Sequence, residues 1–329
     1  MKAIGIILAG GNNNRMKELT AKRAVPALPV AGSFRSIDFA LSSMSNSHIQ
    51  TVAVLTQYNA RSLNEHLSSS KWWNFGRKQG GLFLFTPTVT ADNSDWYRGT
   101  ADAMYQNIDF LKRRHEPYVI ISSGDCVYKL DFNRVLDFHI EKKSDITVVC
   151  KDMMYNDDVS RFGVVRMDDE SRITEFDEKP IEALSNTIST GIYVIRRRQL
   201  IELLEAAAEE NRFDFVNDIL VRYKNVKKIY GYKINSYWNN IADIDAYFKT
   251  NMDFLRPDVR SYFFREEPTI CSKVDDLPPA KFNPGSDISN SLVSSGCIIN
   301  GSVEDSVLFK QVFVGKNTTV KNCVILNDV

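Results

Sequence analysis

The C-terminal part of the sequence repeats an apolar position every six residues, and few folds accommodate such a repeat. The apolar positions at steps of six are Leu308, Val314, Val320 and Leu326. Three related units read ISNSLV at 288–293, VEDSVL at 303–308 and VKNCVI at 320–325. This pattern is typical of a parallel β-helix, in which each coil buries its apolar column by stacking on the next. We therefore predict a hexapeptide-repeat β-helix over residues 285–329.

Short apolar runs alternate with helical patterns through residues 1–256, which favours an α/β domain. The strand candidates are Ala3–Leu8, Thr51–Leu55, Tyr118–Ser122, Ile146–Cys150 and Gly191–Ile195. The helical patterns lie near residues 36–48, 59–70, 100–114, 131–143, 198–210 and 244–255. This spacing predicts a mostly parallel, Rossmann-like sheet with helices on both faces and ligands beyond the carboxyl ends of its strands. We interpret the proline-containing segment 257–284 as a linker.

Composition narrows the classes of partner. The chain is 43% hydrophobic and 25% charged, with a formal net charge of +0. Without a global charge there is no field to attract polyanions, which argues against nucleic acid as a partner. No apolar run approaches the roughly 20 residues of a membrane-spanning helix, and the 5 cysteines lack a CxxC pair. We expect reduced thiols, no membrane partner and a cytoplasmic location.

The first predicted strand ends in a glycine turn that is suited to an anion. The turn consists of Leu8, Ala9, Gly10 and Gly11, and three asparagines and Arg15 follow it. Backbone N–H groups and a nearby cation form an anion-binding concavity. The alternative is a solvated charged loop.

Two further candidates stand outside this turn. Asp125 follows an apolar strand, a position suited to holding Mg²⁺ against phosphates, although a Gly-Asp turn explains it equally well. Lys179 precedes a proline in the run EFDEKP, where an extended lysine can reach a phosphate. An exposed surface loop is the alternative reading of that run.

Taken together, the motifs resemble those of the ADP-glucose pyrophosphorylase family, and the match covers nearly the whole chain. The matching segments are LAGG at 8–11, SFRSIDFALSSMSNSHI at 33–49, LTQYNARSLNEHL at 55–67, WYRGTADAMYQN at 96–107, SGDCVYKLDF at 123–132, EFDEKP at 175–180, STGIYVI at 189–195, FDFVNDIL at 213–220 and SYWNNIADIDAYFKTNMDFL at 236–255, followed by the hexapeptide coils. The resemblance implies a nucleotidyltransferase-like (GT-A-like) mixed-sheet domain followed by a left-handed parallel β-helix.

The resemblance also implies a reaction and a division of the site. Family enzymes join glucose 1-phosphate to ATP, releasing pyrophosphate, with Mg²⁺ held by two aspartates, of which Asp125 is the first. The nucleotide side is implied to comprise Leu8, Ala9, Gly10, Gly11, Gly99, Thr100, Ala101 and Gln106, with Arg15 as the catalytic arginine. The sugar-phosphate side is implied to comprise Glu178, Lys179, Ser189 and Gly191.

Three positions depart from the family's catalytic pattern. Asn13 stands in place of a glycine, Val25 in place of the lysine of RAKPA, and Asn240 in place of the second metal aspartate. A Cβ at 13 obstructs the approach of a phosphate, Val25 removes an ammonium, and Asn240 offers an amide without a full charge. Losing one electrostatic contact typically costs about 10²–10³ in rate.

These departures predict a catalytically impaired regulatory subunit that binds Mg²⁺ weakly or not at all. It would form a heterotetramer with a catalytic subunit, or else a homo-oligomer, with a sugar phosphate or ATP as ligand. The repeats end within a third coil, so we expect a shortened chain or a surface that a partner covers. The alternatives are an active glucose-1-phosphate adenylyltransferase and a stand-alone sugar-phosphate sensor. All four histidines precede the coils, which argues against a hexapeptide acyltransferase.

Overall fold

The structure is a computed structural model of the 329-residue chain and describes residues 2–11, 14–76, 80–89, 95–154 and 157–329. Asn13, which the sequence places at a family glycine position, lies outside the described residues.

The strands are short except in the central sheet. In chain order they are β1 (Ala3–Ala9), β2 (Pro29–Val30), β3 (Phe34–Arg35), β4 (Thr51–Thr56), β5 (Gly81–Phe85), β6 (Tyr118–Ser123), β7 (Cys126–Tyr128), β8 (Ile146–Asp152), β9 (Gly163–Met167), β10 (Ile173–Glu178), β11 (Thr187–Arg196), β12 (Ile229–Lys233), β13 (Trp238–Asn240), β14 (Lys281–Phe282), β15 (Asp287–Ser289), β16 (Leu292–Val293), β17 (Ile298–Ile299), β18 (Ser302–Glu304), β19 (Val307–Leu308), β20 (Phe313–Val314), β21 (Thr319–Lys321) and β22 (Val324–Ile325).

Helices lie between these strands. The α-helices are α1 (Ser36–Asn46), α2 (Arg61–Leu67), α3 (Thr100–Gln106), α4 (Ile108–Lys112), α5 (Phe132–Glu141), α6 (Arg197–Glu209), α7 (Ile244–Asp253) and α8 (Pro257–Phe264). Short 3₁₀ stretches cover Asn14–Thr20, Val25–Ala27 and Ser70–Trp73, and a π-helical stretch covers Val216–Val221. The single helix predicted near residues 100–114 is thus two helices, which meet at Asn107.

Nine of the described strands form one mixed sheet. Its order is β10-β9-β11-β6-β1-β4-β5, and β8 joins β11 to β12. The part formed by β6, β1, β4 and β5 is parallel, as predicted. The prediction of a mostly parallel sheet is wrong for the other part, because β11 runs antiparallel to β6 and β8, and β10 runs antiparallel to β9.

The central sheet is covered on both faces, because successive side chains of a strand point to opposite sides. In β1, Ile4 and Ile6 pack into one hydrophobic cluster, whereas Ala3 and Ile7 pack into the other. A buried parallel strand of this kind reads as a continuous apolar run, which is why the sequence predicts β1, β4 and β6.

The hexapeptide region has the predicted architecture of a left-handed β-helix. Three small parallel sheets, β14-β17-β20, β15-β18-β21 and β16-β19-β22, stack its coils. The related units lie directly above one another, since Ile288 pairs with Val303 and Val303 with Val320. Leu308, Val314 and Val320 are buried in one cluster between the coils.

The segment interpreted as a linker is not featureless. Residues 257–264 form α8, whose Phe263 is fully buried against Phe39 and Phe254 in an aromatic cluster. The first coil strand, β14, also begins before residue 285. The hydrophobic periodicity over one short helix was too weak to distinguish α8 from a loop. Tertiary packing stabilises this helix.

Among the described residues, no helix combines the length and the apolar character that crossing a bilayer requires.

Candidate functional site

A cleft of about 490 Å³ opens beyond the carboxyl ends of β1, β4 and β6. Its walls are Leu8, Ala9, Gly10, Gly11, Val25, Pro26, Leu55, Gln57, Tyr58, Tyr97, Arg98, Gly99, Thr100, Ala103, Ser123 and Asp125. The location agrees with the general rule for parallel α/β sheets, in which ligands bind at this edge. Six of the eight residues assigned to the nucleotide side by resemblance therefore line the cleft.

The glycine turn forms one side of the cleft and is tied to the segment that carries Asp125. The backbone N–H of Gly124 donates to the carbonyl of Leu8 at 3.0 Å. A Cβ at Gly10 would lie 3.2 Å from Cβ of Gln57, whereas a Cβ at Gly11 would meet no atom within 4 Å. Gly11 thus faces open space, where a phosphate can approach the backbone closely.

Gly99 closes the opposite side by direct contact with another loop. The carbonyl of Phe213 accepts hydrogen bonds from the backbone N–H groups of Ala101 (2.8 Å) and Asp102 (3.2 Å). The Thr100 hydroxyl in turn accepts a hydrogen bond from the N–H of Phe215 at 2.9 Å. The start of α3 is therefore capped by the 213–215 loop.

We expect Gly99→Ala to destabilise the fold by about 1–3 kcal/mol. The added Cβ would lie 2.3 Å from the Phe213 carbonyl oxygen, and both are rigid backbone-attached atoms. Urea unfolding measures the change. Gly11→Ala is the matched control, because its Cβ has open space and should cost less than about 0.5 kcal/mol. Equal losses in the two variants would contradict this steric explanation.

Two residues assigned to the nucleotide side do not line the cleft. Ala101 is buried behind it, at 1% exposure. The Gln106 side chain turns back along α3 and donates to the Asp102 carboxylate at 3.0 Å. Their assignment to the nucleotide stays a prediction.

Val25 places an apolar side chain where the family pattern has a lysine. It lies in the 3₁₀ turn Val25–Ala27, is buried, and packs in a cluster with Met16, Val127 and Ile241. Because Val25 also lines the cleft, this part of the wall presents hydrocarbon and no ammonium.

Asp125 and Asn240 lie on adjoining strands. Asn240 pairs with Cys126, and the Ile241 N–H donates to the Asp125 carbonyl at 2.9 Å. The Asp125 carboxylate accepts hydrogen bonds from the Ser123 hydroxyl at 2.5 Å and the Cys126 thiol at 3.4 Å. The structure therefore places the two family metal positions on adjoining strands, and their assignment to a metal stays a prediction.

These two residues fit a resident Mg²⁺ poorly. Mg²⁺ prefers an octahedral set of oxygen ligands that includes carboxylates. Asn240 already uses its Oδ1 to accept the Ala242 N–H at 2.9 Å, and its Nδ2 donates to the Cys126 sulfur at 3.4 Å. One carboxylate and one engaged amide oxygen make a weak donor set. No group of three or more His, Cys, Asp and Glu side chains in the described ranges could hold a metal.

None of the residues assigned to the sugar phosphate is in the wall of the cleft. Glu178 pairs with Lys179 at 3.2 Å, and Gly191 has a φ of +74°, which favours glycine. A Cβ at Gly191 would lie 3.6 Å from Cβ of Ser123, which lines the cleft. Ser189 donates to the Tyr193 hydroxyl at 3.3 Å. Of this set, Gly191 therefore adjoins the cleft at Ser123.

The electrostatics of Glu178 connect this set to the nucleotide side. Burial raises the pKa of Glu178, and the Asp214 charge raises it further, while Lys179 opposes both. Asp214 is also within 3.4 Å of the Thr100 hydroxyl. Asp214 thus contacts Thr100 of the predicted nucleotide side, and its charge acts on Glu178 of the predicted sugar-phosphate side.

Sequence reasoning missed Gln57. Its side-chain amide accepts the Tyr97 N–H at 2.7 Å and donates to the Tyr97 carbonyl at 3.3 Å. This pair holds the loop before α3 against the end of β4. Its position directly after a buried strand was the available signal, because polar residues there reach the ligand edge of a sheet.

Arg15 is exposed in the 3₁₀ stretch Asn14–Thr20, and its charge influences Asp158 and Arg161. It is not among the residues that line the cleft. The loop that contains Arg161 was also missed by sequence reasoning.

Comparisons with known proteins agree with this fold. Residues 4–256 match the family described as "Nucleotidyl transferase", and residues 278–329 match "GlmU-like, C-terminal hexapeptide". Proteins named glucose-1-phosphate adenylyltransferase are similar over most of their length. The Clostridium novyi protein is 38% identical over 96% of this chain and 84% of its own, and the Pseudothermotoga lettingae protein is 39% identical over 97% and 76%.

A third relative, from Geobacillus stearothermophilus, is 36% identical over 97% of this chain and 83% of its own. Such identity over nearly the whole chain, together with the two matched regions, shows common family membership. The chain belongs to the glucose-1-phosphate adenylyltransferase, or ADP-glucose pyrophosphorylase, family of nucleotidyl transferases.

Proposed function

We propose that this chain is a regulatory, catalytically impaired subunit of an ADP-glucose pyrophosphorylase. Its role would be to modulate a catalytic partner subunit in a heterotetramer, in the cytoplasm, during glycogen biosynthesis. The observation that carries the proposal is the chemistry of the cleft wall. The cleft is present, yet Val25 in its wall and Asn240 on the strand beside Asp125 leave the site without the ammonium and the second carboxylate of the family pattern.

The missing groups matter because phosphoryl transfer depends almost entirely on positioning and on charge stabilisation. A valine packed with Met16, Val127 and Ile241 cannot neutralise a triphosphate. An amide whose Oδ1 already accepts the Ala242 N–H contributes little to a metal. We therefore expect weak Mg²⁺ and nucleotide binding. The residues assigned to the sugar phosphate, by contrast, match the family pattern, so we expect that binding of a sugar phosphate is retained.

An active glucose-1-phosphate adenylyltransferase is the second candidate, and specific observations favour it. The similar proteins carry that name, and Asp125 still lies at the cleft. One carboxylate plus substrate phosphates can hold Mg²⁺ in some sites. The two candidates make opposite predictions for the isolated chain.

We expect the purified chain alone to form ADP-glucose from ATP, glucose 1-phosphate and Mg²⁺ at least about 100-fold more slowly than a catalytic relative assayed in parallel. Co-expression with a catalytic subunit should yield a complex that responds differently to effectors than the catalytic subunit alone. Turnover by the isolated chain within about tenfold of the relative would establish the active enzyme. Sugar-phosphate binding without any complex would instead indicate a stand-alone sensor.

A further inference from the structure

A second cavity, of about 440 Å³, lies at the amino end of β4, whereas the cleft lies beyond the carboxyl end of that strand. One wall of this amino-end pocket is formed by the end of α1 and the turn before β4, with Ser45, His48 and Gln50. The other wall is an aromatic segment after α2, with Trp72 and Phe75. No described residue lines both cavities, so the amino-end pocket is a separate candidate site.

The floor of the amino-end pocket is fixed by packing and hydrogen bonds. Trp73 and Phe75 are buried, at 1% and 3% exposure. The Trp73 indole N–H donates to the Cys271 carbonyl at 3.1 Å. The Ser42 hydroxyl donates to the same carbonyl at 3.1 Å and accepts the Cys271 N–H at 2.9 Å. The pocket is therefore preformed, as small-molecule sites usually are.

Above this floor, the pocket presents an aromatic ring and polar groups that are available to a ligand. Trp72 packs against the main hydrophobic cluster but is only partly buried. The side chains of Ser45, His48 and Gln50 make no hydrogen bond to any other described residue. The backbones of His48 and Asn74, in opposite walls, have φ values of +60° and +61°. Such a conformation is uncommon for residues other than glycine and recurs at ligand sites.

The amino-end pocket continues into a longer groove. An adjoining cavity of about 500 Å³ shares Asn46 and Pro268 with it, so the two cavities meet at these residues. The groove passes from the amino end of β4 to the residues after β12, which include Asn235 and Ser236. Its length suits a chain of several linked units better than a single small molecule.

The charges along the groove indicate a neutral ligand. Among the described residues that line the amino-end pocket, none is Asp, Glu, Lys or Arg. In the adjoining cavity, Lys129 already donates to the carbonyls of Tyr262 and Glu266. Its other two cations are in the ion pairs Lys233–Asp152 at 3.0 Å and Arg134–Asp131 at 3.6 Å. Anions are bound tightly by cations that are free to form charge-assisted hydrogen bonds, and each lysine and arginine among the described residues of this groove is already engaged.

We propose that the amino-end pocket binds a glucose oligosaccharide, a neutral chain of rings that carry hydroxyl groups. One face of a glucosyl ring is formed by C–H groups, and the Trp72 ring would stack on this face. The Gln50 amide and the His48 imidazole would hydrogen-bond to hydroxyl groups at the ring edge. The choice of glucose as the sugar rests on the proposed role in glycogen biosynthesis, whereas the preference for a neutral sugar rests on the lining of the pocket alone.

Titration calorimetry with maltotriose on the full chain tests this proposal. We expect Trp72→Ala to weaken binding at least about tenfold, because the stacking surface is lost, and Trp72→Phe to weaken it less. Gln50→Ala, a change at an exposed position, should weaken binding about threefold to tenfold through a lost hydrogen bond. The matched control is Trp96→Ala, since Trp96 is 61% exposed and stacks on Tyr58 in the wall of the cleft. It should change the affinity less than about twofold.

Several results would overturn the proposal. They are no binding of maltotriose at millimolar concentration, an unchanged affinity in both Trp72→Ala and Gln50→Ala, and an equal loss in Trp96→Ala, which would place the sugar in the cleft. Thermal unfolding checks that each variant is folded. If Trp72→Ala does not fold, Trp72→Phe and Gln50→Ala still decide the question, because neither empties the hydrophobic cluster.

A mannose trisaccharide, titrated in parallel, tests the choice of sugar. Tighter binding of maltotriose supports a glucose oligosaccharide, and equal binding of the two would overturn that choice. None of these titrations requires turnover or a partner subunit. Failure of the sugar site is therefore distinguishable from failure of the proposed regulatory function, which the assay of the isolated chain decides.

Discussion

The double variant Val25→Lys, Asn240→Asp is expected to form ADP-glucose at least about 100-fold faster than the unmodified chain. Val25 lines the cleft from within an apolar cluster. A lysine stem can cover the same neighbours while its ammonium extends into the cleft. An aspartate at 240 keeps an oxygen for the Ala242 N–H and adds a second carboxylate beside Asp125.

The measurement is a coupled pyrophosphate-release assay with ATP, glucose 1-phosphate and Mg²⁺. The matched control is Val25→Met with Asn240→Asp, in which the side chain is long and flexible but uncharged, and it should recover much less activity. Asn13→Gly is added if the double variant stays inactive. No gain from the triple variant, or equal gain with methionine, would show that the missing charges do not explain the impairment.

Stability is expected to fall by about 3 kcal/mol between about pH 7 and about pH 4 because of His139 alone. His139 is 1% exposed, its Nδ1 lies 2.8 Å from the Thr147 hydroxyl, and its ring packs edge-on against Tyr118. Burial lowers its pKa from 6.5 to about 4, and the charge of Arg196 contributes in the same direction, against Asp145.

The direction of this change in the free energy of unfolding follows from which state of the chain, folded or unfolded, binds the proton. Above pH 6.5 the imidazole is neutral in both the folded and the unfolded chain, so it contributes no pH dependence. As the pH falls from 6.5 towards about 4, the unfolded chain takes up a proton that the folded chain refuses. The free energy of unfolding therefore decreases across this window and levels off below it.

Urea unfolding at several pH values measures this decrease. His139→Gln, which cannot titrate but can still bond Thr147, should have a flatter profile in the same window. His115→Gln, a change at an exposed histidine, should keep the slope of the unmodified chain. Parallel profiles for the unmodified chain and His139→Gln would contradict the assignment to His139.

The parts of the fold that were predictable share one property, namely a local pattern with a single interpretation. The six-residue column predicted the stacking of Ile288, Val303 and Val320, because only stacked coils bury such a column. The buried strands β1, β4 and β6 read as continuous apolar runs. By contrast, β9 and β10 mix apolar and charged residues, and their antiparallel pairing depends on partners elsewhere in the chain.

The candidate site likewise has features that a local pattern predicted and features that it did not. The glycine turn and Asp125 each follow a strand, so the rule that parallel strands end at one edge was enough to bring them together. The approach of Arg161 to Asp243 joins residues far apart in sequence, and no spacing in the chain indicates it. The resemblance assigned Ala101 and Gln106 to the nucleotide, and this stays a prediction. A motif does not specify the direction of a side chain, so only the structure showed that these two do not line the cleft.

Residue order and composition alone thus specified an α/β domain, a β-helix and a cleft edge, because hydrophobic periodicity and strand ends are local properties of the chain. The three altered positions were visible only through the resemblance to the family. Only the tertiary structure showed that Val25 packs among apolar side chains and that the Asn240 oxygen already accepts a hydrogen bond. It also showed that the Asp243 carboxylate pairs with Arg161. The environment of Val25 and the pairing of Arg161 with Asp243 arise from long-range contacts. The Asn240 oxygen is engaged by the nearby Ala242 N–H, and this contact depends on the folded backbone after β13.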